Sequence, residues 1–425
     1  MKSAYRPSLR RRPCILKAKR SSWKTNSVTV LGEGVLSAAP FFVLKHDSEP
    51  DMNTNTKPLI KRSHHIIQAD DGDICIGEIP GVSKILVAPP EWVKDVLKKL
   101  DGTRTVPRIA KELAHQGVEV TEDDVIAFIS ALQKMNLLED NAHFSNALTS
   151  EEVERYDRQM LQFSLIDKAC VHSHVYQERL KSSTVVMFGM GGWGTWCSLL
   201  LALAGIGKLR LVDGDNVELS NINRQVLYTT SDIGKEKVIA AKERIHEYNP
   251  NVKVETFCEF ATPDPKQISE LLQGVDFIVL AWASLGYYRK HTPEEMIHTL
   301  AREHGVPVME LGGDPLEISI GPLFLNDGSH KSFKDVKKSA RQTYYSNNVN
   351  IEKFQRARLK HDFLDGDRTV NAWQSAPSLS AMAGLACDQI VKCITGYDRP
   401  VVVGKRIYLS MQTLNKRAET VFEYE

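Results

Sequence analysis

The spacing of apolar residues divides the chain into two segments with different patterns. In the first, the isoleucines of HHIIQADDGDICIGE flank an acidic turn at residues 70–73, which predicts a β-hairpin. Three stretches with apolar residues at helical spacing follow and predict three short helices. Their core-facing residues are Trp92, Val93, Val96, Leu97, Leu100, Ile109, Leu113, Val125, Ile129, Leu132 and Met135. A hairpin with three short helices is a winged-helix pattern.

The second segment alternates apolar strands with helical patterns. Strands are predicted near 184–188, 208–212, 253–257, 276–280, 307–310 and 317–324. This alternation is typical of an α/β fold with a parallel sheet. A polar, positively charged stretch at 330–369 follows, then an apolar helix at 378–394 and strands near 400–403 and 406–411.

The predicted domains follow from these patterns. Residues 52–140 form a winged-helix-like α+β domain, 141–182 a linker, and 183–425 an α/β domain with a polar insertion at 330–369. We interpret the insertion as a solvated surface. The alternative is a cover over an acidic peptide, since its basic residues with Tyr344 and Tyr345 could bind carboxylates.

Charge and hydropathy exclude several classes of partner. The 425 residues carry a formal net charge of +1, so the average composition does not indicate nucleic-acid binding. The apolar stretch at 35–44 is too short for a membrane span and lies too far into the chain for a signal peptide. We therefore expect neither a nucleic-acid nor a membrane partner.

Residues 1–51 differ from the rest because basic residues precede any acid. These are Lys2, Arg6, Arg10, Arg11, Arg12, Lys17, Lys19, Arg20 and Lys24. The segment could be a nucleic-acid arm, a transit peptide, a disordered tail, or upstream sequence translated from the wrong start, with Met52 as the genuine N-terminus. We favour the disordered tail.

The seven cysteines are scattered and contain no C-x-x-C pair. An odd number of unpaired cysteines indicates a reducing cytoplasm. Without cysteine pairs, we predict no zinc site.

A glycine-rich loop marks the start of the α/β domain. The strand at 185–188 leads into Gly189, Gly191, Gly192 and Gly194, and a long apolar helix follows. Glycines let the backbone approach a phosphate, and the helix N-terminus favours negative charge. Asp213, about 20 residues further along, is placed to hold ribose hydroxyls. The loop therefore predicts a nucleotide site.

The residues around this loop resemble the E1-like adenylating superfamily, which includes ThiF, MoeB and the ubiquitin activators. The shared motifs are RYDRQ at 155–159, DGDNV at 213–217, SNINRQ at 220–225 and GKEK at 234–237. The resemblance covers about 151–325 and, more weakly, 376–397. An NAD-type dehydrogenase is the alternative, but hydride transfer does not require Arg224, Lys237 or the RYDRQ motif. The resemblance implies a Rossmann-like domain.

It also implies roles for individual residues and an ATP cofactor. Arg158 would reach the nucleotide of a partner subunit, so a homodimer is expected. Arg224 and Lys237 would be catalytic with Arg158, because adenylation needs cations near the phosphates. The nucleotide-binding residues implied are Gly189, Gly191, Gly192, Gly194, Asp213 or Asp215 for the ribose, and Asn223 and Gln225 for the phosphates.

The aspartate with which the superfamily holds Mg²⁺ is missing. The stretch DFIVLAWASLGYYRK has Ala283 or Ser284 at that position. Because a hard cation prefers carboxylate oxygens, three interpretations remain. Glu310 or Asp314 substitutes, the phosphates hold Mg²⁺ largely alone, or the domain has lost adenylation. We favour the first two, and we assign no metal ligand in the chain.

The winged-helix-like domain has two functional interpretations besides a purely structural one. A DNA-reading helix should be basic, whereas TEDDVIAFISALQKMN begins with acids, so DNA binding is disfavoured. The stretch LDGTRTVPRIAKELA instead resembles the domain that binds leader peptides in enzymes modifying ribosomal peptides. There a peptide adds a strand to the sheet.

Together, the two domains resemble the enzymes that make microcin C and pantocin-type peptide antibiotics. The resemblance implies that ATP activates a carboxylate of a ribosomal precursor peptide as an acyl-adenylate, which a nucleophile of the same peptide attacks. The leader would bind to residues 52–140. The alternatives are a sulfur-carrier adenylyltransferase and an inactive escort protein for peptides.

Overall fold

The computed structural model describes residues 14–16, 55–142, 147–282, 292–313, 316–338, 353, 357 and 374–422. The chain forms two compact units, residues 1–176 and 177–425. Among the described residues, no helix has the length and apolar character to cross a membrane.

In the described part of the first unit, five short strands are followed by three helices, a sixth strand and three further helices. The strands are β1 (Cys14–Leu16), β2 (Pro58–Ile60), β3 (Ile66–Gln68), β4 (Ile74–Ile76), β5 (Lys84–Leu86) and β6 (Leu138–Asp140). The helices are α1 (Trp92–Lys99), α2 (Val106–His115), α3 (Glu122–Lys134), α4 (Ser150–Arg155), α5 (Asp157–Ile166) and α6 (Ser173–Ser182), which crosses the unit boundary.

The predicted hairpin and three helices are confirmed in this unit. β3 and β4 pair antiparallel, and Gly72 between them has a φ of +91°, a left-handed conformation that suits glycine. Thr121 caps α3 by accepting a hydrogen bond from the Asp124 N–H at 3.1 Å. The helices bury the predicted apolar residues in one core with β4 and β5, and only Trp92 and Met135 are partly exposed.

The stretch after β6 packs onto this first unit. The Lys61 ammonium, fully buried, donates to Asn136 Oδ1 at 2.9 Å and to the Asp167 carbonyl at 2.7 Å. The Tyr176 hydroxyl donates to Asp167 Oδ1 at 2.6 Å. The bond from Lys61 to Asp167 joins the residue after β2 to the region that follows α5. The domain limits at 140 and 182 remain predictions.

The second unit is the α/β domain. Its strands are β7 (Thr184–Phe188), β8 (Lys208–Val212), β9 (Lys253–Phe257), β10 (Phe277–Leu280), β11 (Val308–Gly313), β12 (Glu317–Phe324), β13 (Lys405–Ser410) and β14 (Lys416–Thr420). Its helices after α6 are α7 (Gly192–Leu203), α8 (Lys237–Tyr248), α9 (Pro265–Leu272), α10 (Pro293–Glu303) and α11 (Ala376–Thr395).

One eight-stranded sheet organises this unit in the order β14-β13-β12-β11-β10-β7-β8-β9. Strands β9, β8, β7, β10 and β11 are parallel, and β12 to β14 are antiparallel. The chain runs from β7 to β9 on one side and then returns to β10 on the other side of β7. Ligands of such sheets bind beyond the strand ends at this reversal. The α/β prediction is confirmed.

One predicted strand near the end of the chain was wrong, and another strand there was not predicted. Residues 400–403 form a turn with a single bridge from Val403 to Leu323, because Pro400 and the left-handed Gly404 limit the extended run. Sequence analysis missed β14, whose residues are all exposed and lack apolar alternation. The predicted insertion lies mostly outside the described residues, as does the basic segment apart from β1.

Candidate functional site

The glycine loop lies between β7 and α7, at the reversal of strand order. Gly189 has a φ of +94°, and a Cβ there would approach the Ala281 carbonyl oxygen, after β10, to 3.1 Å. At Gly194, a Cβ would lie 1.9 Å from the Gly189 carbonyl oxygen. A larger residue at either position would therefore move the loop. The predicted loop is thus formed where the sheet topology places a ligand site.

Asp213, at the end of β8, braces this loop. Its Oδ2 accepts the Met190 N–H at 2.6 Å, and its Oδ1 accepts the Asp215 N–H at 2.8 Å. Burial raises the pKa of the Asp213 carboxyl, while these two N–H groups oppose that shift. Each oxygen keeps a lone pair that could accept a ribose hydroxyl. Asp213 therefore lies beside the loop as predicted, and it also holds the loop backbone in place, a role that the sequence did not predict.

Two aromatic residues that sequence analysis missed also fix the site. The Tyr228 hydroxyl donates to the Met190 carbonyl at 2.8 Å, and burial raises its pKa well above the usual value. The Trp196 indole N–H donates to the Arg224 carbonyl at 3.0 Å. A buried tyrosine or tryptophan usually needs a hydrogen-bond partner for its O–H or N–H group. The presence of these two residue types near the motifs was therefore the only feature of the sequence that could have indicated their role.

The SNINRQ motif forms a tight turn beside the loop. Asn221 Oδ1 accepts the Glu218 N–H at 3.0 Å, and the Asn221 carbonyl accepts the N–H groups of Arg224 and Gln225. Asn223 is exposed, while Gln225 is buried. Among the described residues, the buried atoms Arg224 Nε and Gln225 Oε1 have no hydrogen-bond partner. Such a donor and acceptor suit a polar ligand, because leaving them unpaired is costly.

Lys237 begins α8 and belongs to the same site. Its side chain is 8% exposed, and its ammonium lies 2.7 Å from Asp215 Oδ2. The Lys237 N–H also donates to the Asp215 carbonyl at 3.0 Å. Asp215 therefore holds the lysine in place, with its carboxylate half exposed. The predicted set from Gly189 to Lys237 is brought together within one unit.

Arg158 lies elsewhere. It is an exposed residue of α5 in the first unit, and its role at a partner's nucleotide remains a prediction. Its neighbour Asp157 forms an ion pair with Arg62 at 2.7 Å.

The residues expected around Mg²⁺ do not form a site in the described structure. Ala283, Ser284 and Asp314 lie outside the described residues. Glu310 is already engaged, since its carboxylate lies 2.8 Å from Arg406 Nη2 and 3.3 Å from His298 Nε2. Those contacts lower the pKa of Glu310 despite its burial. In the described ranges, no three His, Cys, Asp or Glu residues are grouped to bind a metal. Glu310 therefore does not fit the substitute role.

Comparison with known families gives two matches. The model of the ThiF family matches residues 156–423, and the model of the PaaA-like N-terminal domain matches residues 63–122. The second match covers the hairpin, β5, α1 and α2. The two matches correspond to the two types of domain expected from the sequence.

Relatives with curated names align only with part of the chain. HesA (vegetative) of Trichormus variabilis is 41% identical over 129 residues, which are 30% of this chain and 45% of HesA. The sulfur carrier protein adenylyltransferase of Thermus thermophilus is 39% identical over 131 residues, 31% of this chain and 45% of that protein. The chain thus spans about half the length of the curated relatives it matches.

Solved structures cover more of the chain. The crystal structure of PaaA is 54% identical, with a TM-score of 0.67, over 85% of this chain and 100% of PaaA. E. coli MccB, crystallised with AMPCPP and MccA, has a TM-score of 0.61 over 86% of this chain and 97% of MccB. At 18% identity, the likeness to MccB shows a shared fold alone.

Proposed function

Because the chain belongs to the ThiF family, we propose that it uses ATP to activate a carboxylate of a ribosomally made precursor peptide. The observation that carries this proposal is the pair of unpartnered buried atoms, Arg224 Nε and Gln225 Oε1, beside the glycine loop. A donor and an acceptor at a phosphate-type loop fit a nucleotide that bears both charged oxygens and hydroxyl groups.

The proposed reaction has two steps. A carboxylate oxygen of the peptide attacks the α-phosphorus of ATP, forming an acyl–phosphate bond and breaking the bond to the β-phosphate, so pyrophosphate leaves. A nucleophile of the same peptide then attacks the acyl carbon, loses its proton, and displaces AMP. Activation is needed because a carboxylate is a poor electrophile. The result is a new covalent bond within the peptide.

The residues of the site support the first step in different ways. Arg224 and Lys237 supply positive charge where charge develops on the phosphates, which is the largest catalytic effect in many enzymes. Asp215 orients Lys237, and Asp213 with Tyr228 holds the loop backbone. Adenylating relatives use Mg²⁺ with ATP, but the described residues contain no group of three His, Cys, Asp or Glu side chains that could hold a metal ion, so no role assigned here depends on the metal.

The N-terminal unit supports a peptide as the substrate. The match of residues 63–122 to the PaaA-like N-terminal domain and the 54% identity of the chain to PaaA support this interpretation. MccB, which shares the fold, is described as a microcin C7 biosynthetic enzyme and was crystallised with N-formylated MccA. The sheet of β3 to β5 offers a strand edge to which an extended peptide could add.

ATP–pyrophosphate exchange tests the proposal. The full-length chain should exchange labelled pyrophosphate into ATP, and a synthetic peptide encoded by a short reading frame beside the gene should stimulate the exchange. Folded protein that binds no nucleotide and shows no exchange with such peptides would contradict the adenylation proposal and favour the escort alternative. Mass spectrometry should show a peptide product lighter by one water.

A sulfur-carrier adenylyltransferase is the second candidate, favoured by the identity to the Thermus thermophilus enzyme over 131 residues. This activity would need only the ThiF-type unit. It predicts exchange stimulated by a protein ending in Gly-Gly, and no stimulation by a precursor peptide. Parallel assays with both substrates distinguish the two.

A further inference from the structure

In the first unit, the sheet formed by β3, β4 and β5 also contains a strand, β1, from outside the PaaA-like domain. β3, β4 and β5 form an antiparallel meander within residues 63–122, the range that matches the PaaA-like domain. β1 comes from residues 14–16, far upstream, and pairs parallel with β5. The chain therefore places its own segment on an edge that the domain would otherwise leave open.

The register of this pairing covers the whole of β5. Cys14 lies opposite Lys84, Ile15 opposite Ile85, and Leu16 opposite Leu86. An unpaired strand edge offers a row of N–H and C=O groups to any extended segment. Because these groups belong to the backbone, they do not distinguish this segment from another peptide. A peptide strand that adds to β5 must therefore bond to the same backbone N–H and C=O groups that β1 occupies.

We infer that Cys14–Leu16 is a built-in competitor for the peptide-docking edge of β5, so that a substrate peptide must displace it. This inference rests on the proposed function, since it takes the substrate as an extended peptide. Occupancy by a segment of the same chain is favoured because tethering gives that segment a high effective concentration. The docked segment therefore weakens the binding of other peptides to β5, and a longer peptide that makes more contacts would displace it.

The short pairing makes displacement feasible. Among the described residues, β1 pairs with β5 through three positions, and parallel pairing is slightly weaker per residue than antiparallel pairing. A segment docked for about nine-tenths of the time would weaken the apparent affinity of a competing peptide about tenfold. The exchange would be an equilibrium between two strands and not a permanent block.

The first experiment measures occupancy in the full-length chain. In a parallel ladder, alternate residues of a strand bond to a given neighbour, so Ile15→Pro/Leu16→Pro removes a donor in either phase. The matched control, Ile15→Val/Leu16→Val, retains both N–H groups. Hydrogen exchange over residues 84–86 should be faster in the proline variant than in the control. Equal rates of hydrogen exchange at residues 84–86 in the two variants would overturn the inference.

The second experiment measures competition. A fluorescein-labelled synthetic peptide of residues 8–22 should bind the proline variant about tenfold more tightly than the valine control. The same peptide with proline at positions 15 and 16 should bind neither. Equal affinity of the peptide for both variants would contradict competition at β5. The same holds if the added peptide protects residues 66–68, and not 84–86, from hydrogen exchange.

ATP–pyrophosphate exchange separates this inference from the proposed function. If both variants exchange equally at every concentration of precursor peptide, the competitor role fails while adenylation stands. If neither variant exchanges but the binding results hold, adenylation fails and the strand still occupies β5.

Discussion

Individual polar residues define the candidate site more sharply than the glycine loop does. The loop predicts a nucleotide of any kind. Arg224 and Lys237 bring positive charge, and the unpartnered Arg224 Nε lies within a turn that Asn221 stabilises. The first two predictions concern single side chains.

Arg224→Ala should lower ATP–pyrophosphate exchange by about 100-fold or more, because a lost charge-stabilising donor typically costs that much. Peptide binding to the first unit should be unchanged. Arg108→Ala is the control, since Arg108 is an exposed arginine that pairs with Glu112 on α2. Loss of peptide binding with intact exchange would show that the site is assigned to the wrong unit.

Stability should depend on pH through His172. Burial lowers the pKa of His172 to about 4 in the folded protein, with His174 and Arg62 adding to the effect. The unfolded chain takes up this proton near pH 6.5, so it binds more protons between those values. The free energy of unfolding should therefore fall, by up to about 3 kcal/mol, as the pH drops from 6.5 to 4.

Urea titrations at several pH values measure this effect. His172→Gln cannot gain a proton and should show a shallower decline than the wild type. His115→Gln, which changes an exposed histidine of α2, should behave like the wild type. Identical slopes for all three proteins would mean that His172 does not titrate differently on folding.

At the scale of elements, the contact between β7 and α7 determines the loop. Gly194→Ala would bring a methyl group against the Gly189 carbonyl, at 1.9 Å without adjustment. We expect a loss of about 1–3 kcal/mol in unfolding free energy, together with weaker ATP binding.

A second helical glycine offers the control. Gly384 in α11 has no atom within 4 Å of a built Cβ, so Gly384→Ala should be neutral or stabilise by up to about 1 kcal/mol. Thermal unfolding and isothermal titration with ATP measure both variants. If the two substitutions have equal effects, the close approach at Gly194 does not constrain the loop.

The predictability of each element followed from its burial. β7 and β8 have the predicted bounds because nearly all of their residues are buried, and buried parallel strands are largely apolar runs. β14 is exposed along its length, so pairing with β13 determines it and no apolar pattern reveals it. Asp213 was assigned from the sequence because it lies in a recognisable motif, and Tyr228 was missed because it lies outside the motifs. Their bonds to Met190 could not be predicted, since those bonds depend on the folded loop.

At the scale of the whole molecule, the two units place the proposed catalytic residues in different parts of the chain. Arg158 is in the first unit, and Lys237 is in the second. We propose a homodimer in which Arg158 serves the nucleotide of the neighbouring subunit. Arg158→Ala protein mixed with Lys237→Ala protein should then recover up to about a quarter of the wild-type exchange activity, since about half of the dimers are mixed and one of the two sites in each mixed dimer is intact.

Activity of the mixture, measured after subunit exchange, checks this. In the control mixture, an Arg158→Ala/Lys237→Ala double variant replaces the Lys237→Ala protein; because neither chain then supplies Arg158, this mixture should stay inactive. A mixture of Arg158→Ala and Lys237→Ala that is no more active than its components would contradict shared sites.

The two bonds to Met190 have a consequence for how quickly the loop can work. Its N–H is held by Asp213 and its carbonyl by Tyr228, so the backbone is fixed from both sides by groups of the protein itself. A nucleotide then meets a preorganised cradle and pays little conformational entropy to order it. We therefore expect nucleotide capture to proceed without a slow rearrangement of the loop.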